Sequence, residues 1–254
     1  MPPRRFDPPT SSRCLLRGAR FVALTVTVLS CTDTVEPDPE TLTLTLLSEP
    51  FHIGTVGSGL STLISFAYFA LESGMQRGGQ FEVEIVSGNG TVSWEGSNSM
   101  TSASGNGIVM SFQDPVAPVL VSWQLGTAAG SNAIRIRPAR PEATDSTLTV
   151  FAFAEPGPVA IVTKSADGQF GTPDQTLSAP IGLRLADRYN NAVSGVEITW
   201  AVTSGGGVLI GDEAETDEGG LVRRGWTLGL TLGEQTATAT VAGVGVFRFS
   251  AWAQ

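Results

Sequence analysis

The sequence is poor in the residues that enzymes most often use for catalysis and metal binding. It contains one histidine, His52, and two cysteines, Cys14 and Cys31, among 254 residues. A zinc site needs several His or Cys ligands, and a hydrolase triad needs a serine elbow together with its histidine. Neither pattern is present, so we expect no catalytic residue and no cofactor, and we interpret His52 as a loop residue.

The sequence also lacks a long apolar run near its start. The apolar stretch at 21–29 has nine residues, too few to cross a hydrocarbon core of about 30 Å at a helical rise of about 1.5 Å per residue. Arginines precede it and the small residue Ser30 follows it, which is typical of a secretory signal. Residues 1–30 are therefore interpreted as a signal peptide, and the protein is expected to be exported.

The cysteine after this stretch suggests a lipid anchor. "VLSC", ending at Cys31, resembles the lipobox of bacterial lipoproteins, although Leu29 stands where a smaller residue is usual. The resemblance implies lipid attachment at Cys31 and a place at the outer membrane or cell surface. Residues 31–40, acidic and interrupted by two prolines, then read as a tether. The alternative is an ordinary signal peptide with an incidental cysteine and a secreted or periplasmic protein.

Charge is scarce and mostly negative. Charged residues make up 15% of the chain, and the net charge is −9. Five arginines lie in residues 1–30, so the remainder is more acidic than the whole. An acidic body has no general attraction for phosphate backbones, and we expect no nucleic-acid partner.

Short alternating strands and turn residues fill the rest of the chain. Residues 196–202 and 81–85 alternate apolar with polar side chains, which is the pattern of half-buried strands. Three motifs recur in order: S-G-x-G at 87–90 and 204–207, W-x-L-G-x-x-x-G at 123–130 and 226–233, and A-x-A at 152–154 and 251–253. This repeat predicts two β-sandwich domains, 41–154 and 156–254, joined by a Pro/Gly linker at 155–158. The first copy carries extra residues at 95–120.

The second repeat resembles the bacterial Ig-like domain of the invasin and intimin type. Its turn, strand and Gly motifs stand in the same order as in that family: Asp187, Gly195, Trp200, Gly205–Gly207, Thr216, Asp217, Gly220, Trp226, Leu228 and Gly229. The first repeat is interpreted as a diverged copy. The resemblance implies two tandem Ig-like β-sandwiches, in which these residues form turns and core rather than a reactive site.

Two weaker sites are considered. Asp212, Glu213, Glu215 and Asp217 crowd one loop, which is either a solvated acidic loop or a calcium site. Trp94 and Trp252 are candidate binding aromatics. Together these features predict a non-catalytic envelope or surface lipoprotein with a structural or adhesive role toward a protein or glycan. The alternative is an accessory binding module for a separate enzyme or transport complex.

Overall fold

The computed structural model describes residues 42–70, 76–77, 80–94, 100–103, 108–111, 118–138 and 147–254. Every regular element in them is a β-strand, which confirms the all-β prediction. Within that part of the chain, no helix has the length and apolar character needed to cross a membrane. The predicted signal peptide, the tether and Cys31 lie outside the described residues.

The first sandwich runs from Leu42 to Glu155. One of its sheets has the order β1-β3-β9-β6-β7, with β4 paired to β3, and the other has the order β2-β11-β10-β5-β8. Pairing is antiparallel except between β2 and β11, which are parallel. The strands are β1 (Leu42–Leu46), β2 (Phe51–Thr55), β3 (Ile64–Ala70), β4 (Gln76–Arg77), β5 (Gln80–Ser87), β6 (Thr91–Trp94), β7 (Met100–Ala103), β8 (Ile108–Ser111), β9 (Val119–Gln124), β10 (Gly130–Pro138) and β11 (Leu148–Glu155).

The second sandwich runs from Ile161 to Ala253 and repeats the same plan. Its sheets have the orders β12-β14-β17-β16 and β13-β19-β18-β15, and β13 again pairs in parallel with the last strand, β19. Both sandwiches belong to one compact unit. The strands are β12 (Ile161–Ser165), β13 (Gln169–Gly171), β14 (Ile181–Ala186), β15 (Ile198–Ser204), β16 (Val208–Ile210), β17 (Leu221–Thr227), β18 (Gly233–Val241) and β19 (Gly245–Ala253).

Each sandwich encloses its own core, and the period-two pattern explains which residues enter it. In β5, the side chains of Phe81, Val83 and Ile85 are buried between the sheets, whereas Glu82 and Glu84 point outward. The repeated tryptophans Trp123 and Trp226 are fully buried at equivalent places in the two cores. Burial of such large apolar side chains is the main favourable contribution to folding.

The extra residues of the first repeat contribute an additional strand to each of its sheets. β7 pairs with β6 in one sheet, and β8 pairs with β5 in the other. Neither strand has a counterpart in the second sandwich. The insertion therefore widens both sheets at the same side.

The two sandwiches share one construction at the end where the W-x-L-G motif lies. We call this end the first pole (54–60 and 123–130) and the second pole (171–177 and 226–233). Leu60 N donates to Trp123 O at 2.9 Å, and Leu177 N donates to Trp226 O at 2.8 Å. The motif G-T-x-x-x-x-L-S, starting at Gly54 and again at Gly171, underlies this match.

A buried amide side chain lies beneath a left-handed glycine at each pole. At the second pole, Gln235 accepts from Gly229 N at 2.7 Å and donates to Gly229 O at 2.9 Å and Thr231 O at 2.8 Å. Gly205 has φ +89°, and a Cβ on it would lie 2.3 Å from Gln235 Cγ. Asn132 and Gly88 hold the same positions at the first pole, but the shorter Asn132 side chain donates from Nδ2 to Gly130 O at 3.0 Å, and its buried Oδ1 accepts no hydrogen bond from the described residues.

We expect Gly205→Ala to destabilise the protein more than Gly206→Ala. Both glycines have positive φ, but a Cβ on Gly206 meets nothing within 4 Å. The left-handed backbone costs about 1 kcal/mol at either position. Displacing Gln235 adds about 1–3 kcal/mol because buried N–H and C=O groups lose their partners. Thermal unfolding followed by circular dichroism measures the difference, and equal losses in the two variants would contradict the proposed contact.

Candidate functional site: the joint between the two sandwiches

The turn that follows β14 is closed by Asp187. Asp187 N donates to Asn191 O at 2.9 Å, and Asn190 N donates to Asp187 O at 3.0 Å. Asn190 adopts φ +68°, a left-handed conformation that asparagine tolerates better than most residues. The side chain of Arg184 holds this residue from outside, donating to Asn190 Oδ1 at 2.8 Å.

The carboxylate of Asp187 is fully buried and accepts four hydrogen bonds. Oδ1 accepts from Tyr189 N at 2.8 Å and Asn191 N at 2.9 Å. Oδ2 accepts from Asn191 Nδ2 at 2.8 Å and from Gly157 N at 3.0 Å. Gly157 belongs to the linker between the sandwiches, so one side chain fixes both the turn and the linker.

Burial alone raises the pKa of the Asp187 carboxyl, because it disfavours the charged form. The hydrogen bonds from the Asn191 side chain and from the backbone of Gly157, Asn191 and Tyr189 outweigh burial. The pKa of Asp187 is therefore held below its ordinary value, and the residue is a carboxylate at neutral pH. A carboxylate with this many donors stabilises structure and is poorly suited to accept a proton in catalysis.

The side chain of Asn191 connects the turn to the first sandwich through two hydrogen bonds. Its Nδ2 donates to Thr127 O at 2.8 Å, and its Oδ1 accepts from Ala129 N at 2.9 Å. The amide thus pairs with a donor and an acceptor of the loop at the first pole, much as a neighbouring strand would. Since Asn191 also contacts Asp187, the linker, the turn and the first pole form one hydrogen-bonded network.

Tyr189 packs against the same pole beside this network. A Cβ on Gly57 would lie 2.5 Å from Tyr189 Oη, so glycine at that position leaves room for the phenol. The guanidinium of Arg188 covers the other part of the ring, with Cζ 4.6 Å from the ring centroid. A shallow, mainly apolar cleft of about 320 Å³ lies here between 55–58 and the linker.

The acidic loop uses its carboxylates to hold the backbone. Asp217 Oδ1 accepts from Gly219 N and Leu221 N, both at 2.8 Å, and Glu213 accepts from Arg223 N at 3.0 Å. Glu213, Glu215 and Asp217 line an open cleft of about 420 Å³ that also contains Arg223. Across the described ranges, no group of three or more His, Cys, Asp or Glu side chains could hold a metal ion. Calcium binding by these residues and Asp212 stays a prediction.

The candidate aromatic residues occupy different environments. Trp94 ends β6 and is half-buried against the first core. Trp252 lies on the outer face of β19, 42% exposed, with its ring centroid 6.3 Å from that of Phe170. The interpretation of His52 as a loop residue is wrong, because it lies in the edge strand β2. Its ring contacts Glu49 O at 2.9 Å and Thr62 Oγ1 at 3.1 Å.

The remaining motif residues lie in turns and core. Trp226 is at the centre of the second core, and the Trp200 ring lies beside Phe249, with centroids 5.7 Å apart. Close backbone packing surrounds three of the glycines, since a Cβ would lie 2.4 Å from Thr227 O at Gly207, 2.3 Å from Leu185 O at Gly220 and 1.8 Å from Gly205 O at Gly229. Gly195 has φ +70° in open space.

Sequence reasoning identified Asp187 as a turn residue but missed Tyr189 and Asn191 as contacts to the other sandwich. The available signal was the second G-T-x-x-x-x-L-S motif, which would have aligned the two poles. It would still not have revealed the contact, because Asn191 binds backbone groups of Thr127 and Ala129.

We expect Asp187→Asn to lower the free energy of unfolding at pH 7 by about 3 kcal/mol, because an amide cannot accept from all four donors. The folded pKa is below the unfolded value of about 3.9. The wild-type advantage is therefore complete above that value and is lost as pH falls through the folded pKa.

Chemical denaturation at a series of pH values from about 7 to about 2 measures this difference. Asp174 is exposed at the second pole, and Asp174→Asn serves as the control that should change stability at pH 7 by less than about 0.5 kcal/mol. A wild-type advantage over Asp187→Asn that persists unchanged at acid pH would refute the role of the carboxylate.

Neither a protein-family model nor a curated protein sequence matches the chain. Solved structures do, at low identity. The Escherichia coli adhesin FdeC is 15% identical with a TM-score of 0.47, over 84% of this chain and 64% of that one. The D00-D0 domain of intimin is 13% identical with a TM-score of 0.42, over 83% of this chain and 96% of that one.

A third structure is invasin, a bacterial integrin-binding protein, 18% identical with a TM-score of 0.36 over 84% of this chain. The chain spans 40% of the invasin structure and 64% of the FdeC structure, which is less than two thirds of the length of each. Domains 4–9 of the surface layer protein SbsC match as well, at 16% identity and a TM-score of 0.31 over 84% of this chain.

Proposed function

We propose that this protein is a non-catalytic module of the bacterial cell surface that presents two Ig-like sandwiches in a fixed mutual arrangement for structural or adhesive contact. The observation that carries the proposal is the joint. Asp187 and Asn191 tie the turn, the linker and the first pole together through hydrogen bonds of 2.8–3.0 Å. A flexible pair of domains would need none of these contacts.

The use of charged and polar side chains supports a structural role. Four donors bind the carboxylate of Asp187, and the side-chain amide of Gln235 binds backbone groups in the loop of the second pole. Asp167 accepts from Lys164 and from Ser250 N at 2.9 Å. These groups stabilise turns, and their hydrogen-bonding capacity is used within the fold.

The anchor is proposed from the sequence. Lipid on Cys31 would attach the chain to a membrane, and the acidic tether would reach up to about 30 Å at about 3.3–3.6 Å per residue. That distance would place the first sandwich beyond the lipid headgroups, where it can meet a partner. The adhesin neighbours are consistent with a surface location.

One observation favours the second candidate, an accessory binding module. Phe170 and Trp252 form an exposed pair on the second sandwich, of the kind that can pack against a sugar ring or an apolar peptide. This role does not need an anchor, and a secreted or periplasmic protein could perform it.

We expect Cys31→Ser to abolish lipid labelling and release the protein from membranes, because the thiol is the attachment point. Cys14→Ser is the matched control and should change neither, since Cys14 lies in the predicted signal peptide. Fractionation of cells expressing each form, with protease shaving of intact cells, gives the location.

Labelled wild-type protein that sediments with the outer membrane and is shaved would support the adhesive surface module. Labelled but protected protein would place the module on the periplasmic side. If Cys31→Ser behaves as wild type in all assays, the lipoprotein proposal is wrong and the accessory binding module becomes the better candidate.

A further inference from the structure

Four apolar side chains form a flat block on the outer face of the first sandwich. Phe51 and Ile53 project from β2, and Phe151 and Phe153 project from β11. The two strands are parallel, with Phe51 beside Phe151 and Ile53 beside Phe153, so the four side chains form a two-by-two array. We call it the apolar block. Outward positions of a sheet facing water are usually polar, which makes this array unusual.

The exposed area of the apolar block is large enough for an interaction site. Its exposed fractions are 55% for Phe51, 60% for Ile53, 50% for Phe151 and 44% for Phe153. With about 200 Å² for each full side chain, the block exposes about 400 Å². Patches of this size on soluble proteins often mark interaction sites. The same area is about half of what one partner contributes to a standard interface, so the block fits a weak, reversible contact.

Four charged side chains on the same sheet face form two ion pairs. Arg137 pairs with Glu82 at 2.9 Å, and Arg135 lies 3.9 Å from Glu84. These pairs lie on β10 and β5, next to the block. Two copies that meet through this face would bring no unpaired charge from these four side chains together. Glu155, two residues beyond Phe153 on the same face of β11, is exposed. Its carboxylates in two copies would repel each other, and salt would screen that repulsion.

The second sandwich shows the same site in reduced form. Phe170 and Trp252 occupy the places of Ile53 and Phe153, since each pair lies side by side on the parallel edge strands. Gly168 and Ser250 stand in place of Phe51 and Phe151. Half of the block is therefore missing there, and only the first sandwich has the complete array.

We propose that the apolar block is a self-association surface, through which a second copy of this chain binds face to face around a two-fold axis. An isologous contact requires a surface that complements itself, and a flat hydrocarbon array does so. Sheets of this kind pack about 10 Å apart with interdigitating side chains. The four side chains carry no hydrogen-bonding group, so the block itself cannot orient the hydroxyls of a sugar. The proposal rests on the sandwich and not on the anchor at Cys31.

Sedimentation velocity of the full chain under reducing conditions, which exclude disulfide dimers, tests the proposal. Over a concentration series up to about 1 mM, wild type should form a dimer with a dissociation constant on the order of 100 µM. The double variant Phe151→Thr/Phe153→Thr should raise that constant at least about tenfold, because it removes half of the block. Threonine keeps the preference for strands and removes the aromatic surface.

Phe170→Thr is the matched control, since Phe170 is equally exposed on the second sandwich and lies outside the block. It should leave the dissociation constant unchanged. Raising sodium chloride to about 1 M should not weaken the dimer, because screening affects charge contacts and not apolar ones. A monomeric wild type at all concentrations, equal loss in the Phe170→Thr control, or dissociation by salt would each overturn the proposal.

Discussion

The buried carboxylate of Asp187 is the interaction on which the relation between the two sandwiches depends. An unpaired charge at full burial would be strongly unfavourable, so four donors must be brought to it. Three of them come from the turn itself or its Asn191 side chain, and the fourth is the linker residue Gly157. Satisfying one charge therefore folds the turn and fixes the linker, and it orients the amide that reaches the first pole.

The repeat explains why the first pole can receive this turn. Both poles contain a left-handed glycine, a buried amide side chain and two equivalent hydrogen bonds between their two segments. These bonds are Leu60 N to Trp123 O and Leu125 N to Ser58 O at the first pole, and Leu177 N to Trp226 O and Leu228 N to Gln175 O at the second. At the first pole the loop presents Thr127 O and Ala129 N to Asn191. At the second pole the W-x-L-G register places Leu230 and Leu232 at these positions, and both side chains are largely exposed. The two ends thus share a scaffold and differ in what they present.

Much of the fold could be predicted because it depends on local pattern. Alternation located β5 and β15, and the spacing of Gly and Trp motifs located the repeat. The joint could not be predicted, since Asn191 contacts backbone atoms that any residue at 127 or 129 would offer. The strands β7 and β8 could not be predicted either, because the extra residues 95–120 are equally compatible with a long loop and with a hairpin. The apolar block required knowing that Phe51 and Phe151, far apart in sequence, lie on adjacent strands.

Residual dipolar couplings of backbone amides in the two sandwiches test the joint most directly. If the network around Asp187 and Asn191 fixes the sandwiches to each other, couplings from β1–β11 and β12–β19 in wild type will fit a single alignment tensor. Asn191→Ala, which removes the contacts to Thr127 and Ala129, will then require two tensors of different magnitude. Two different tensors in the wild type would show that the sandwiches move independently, and the account of the joint would be wrong.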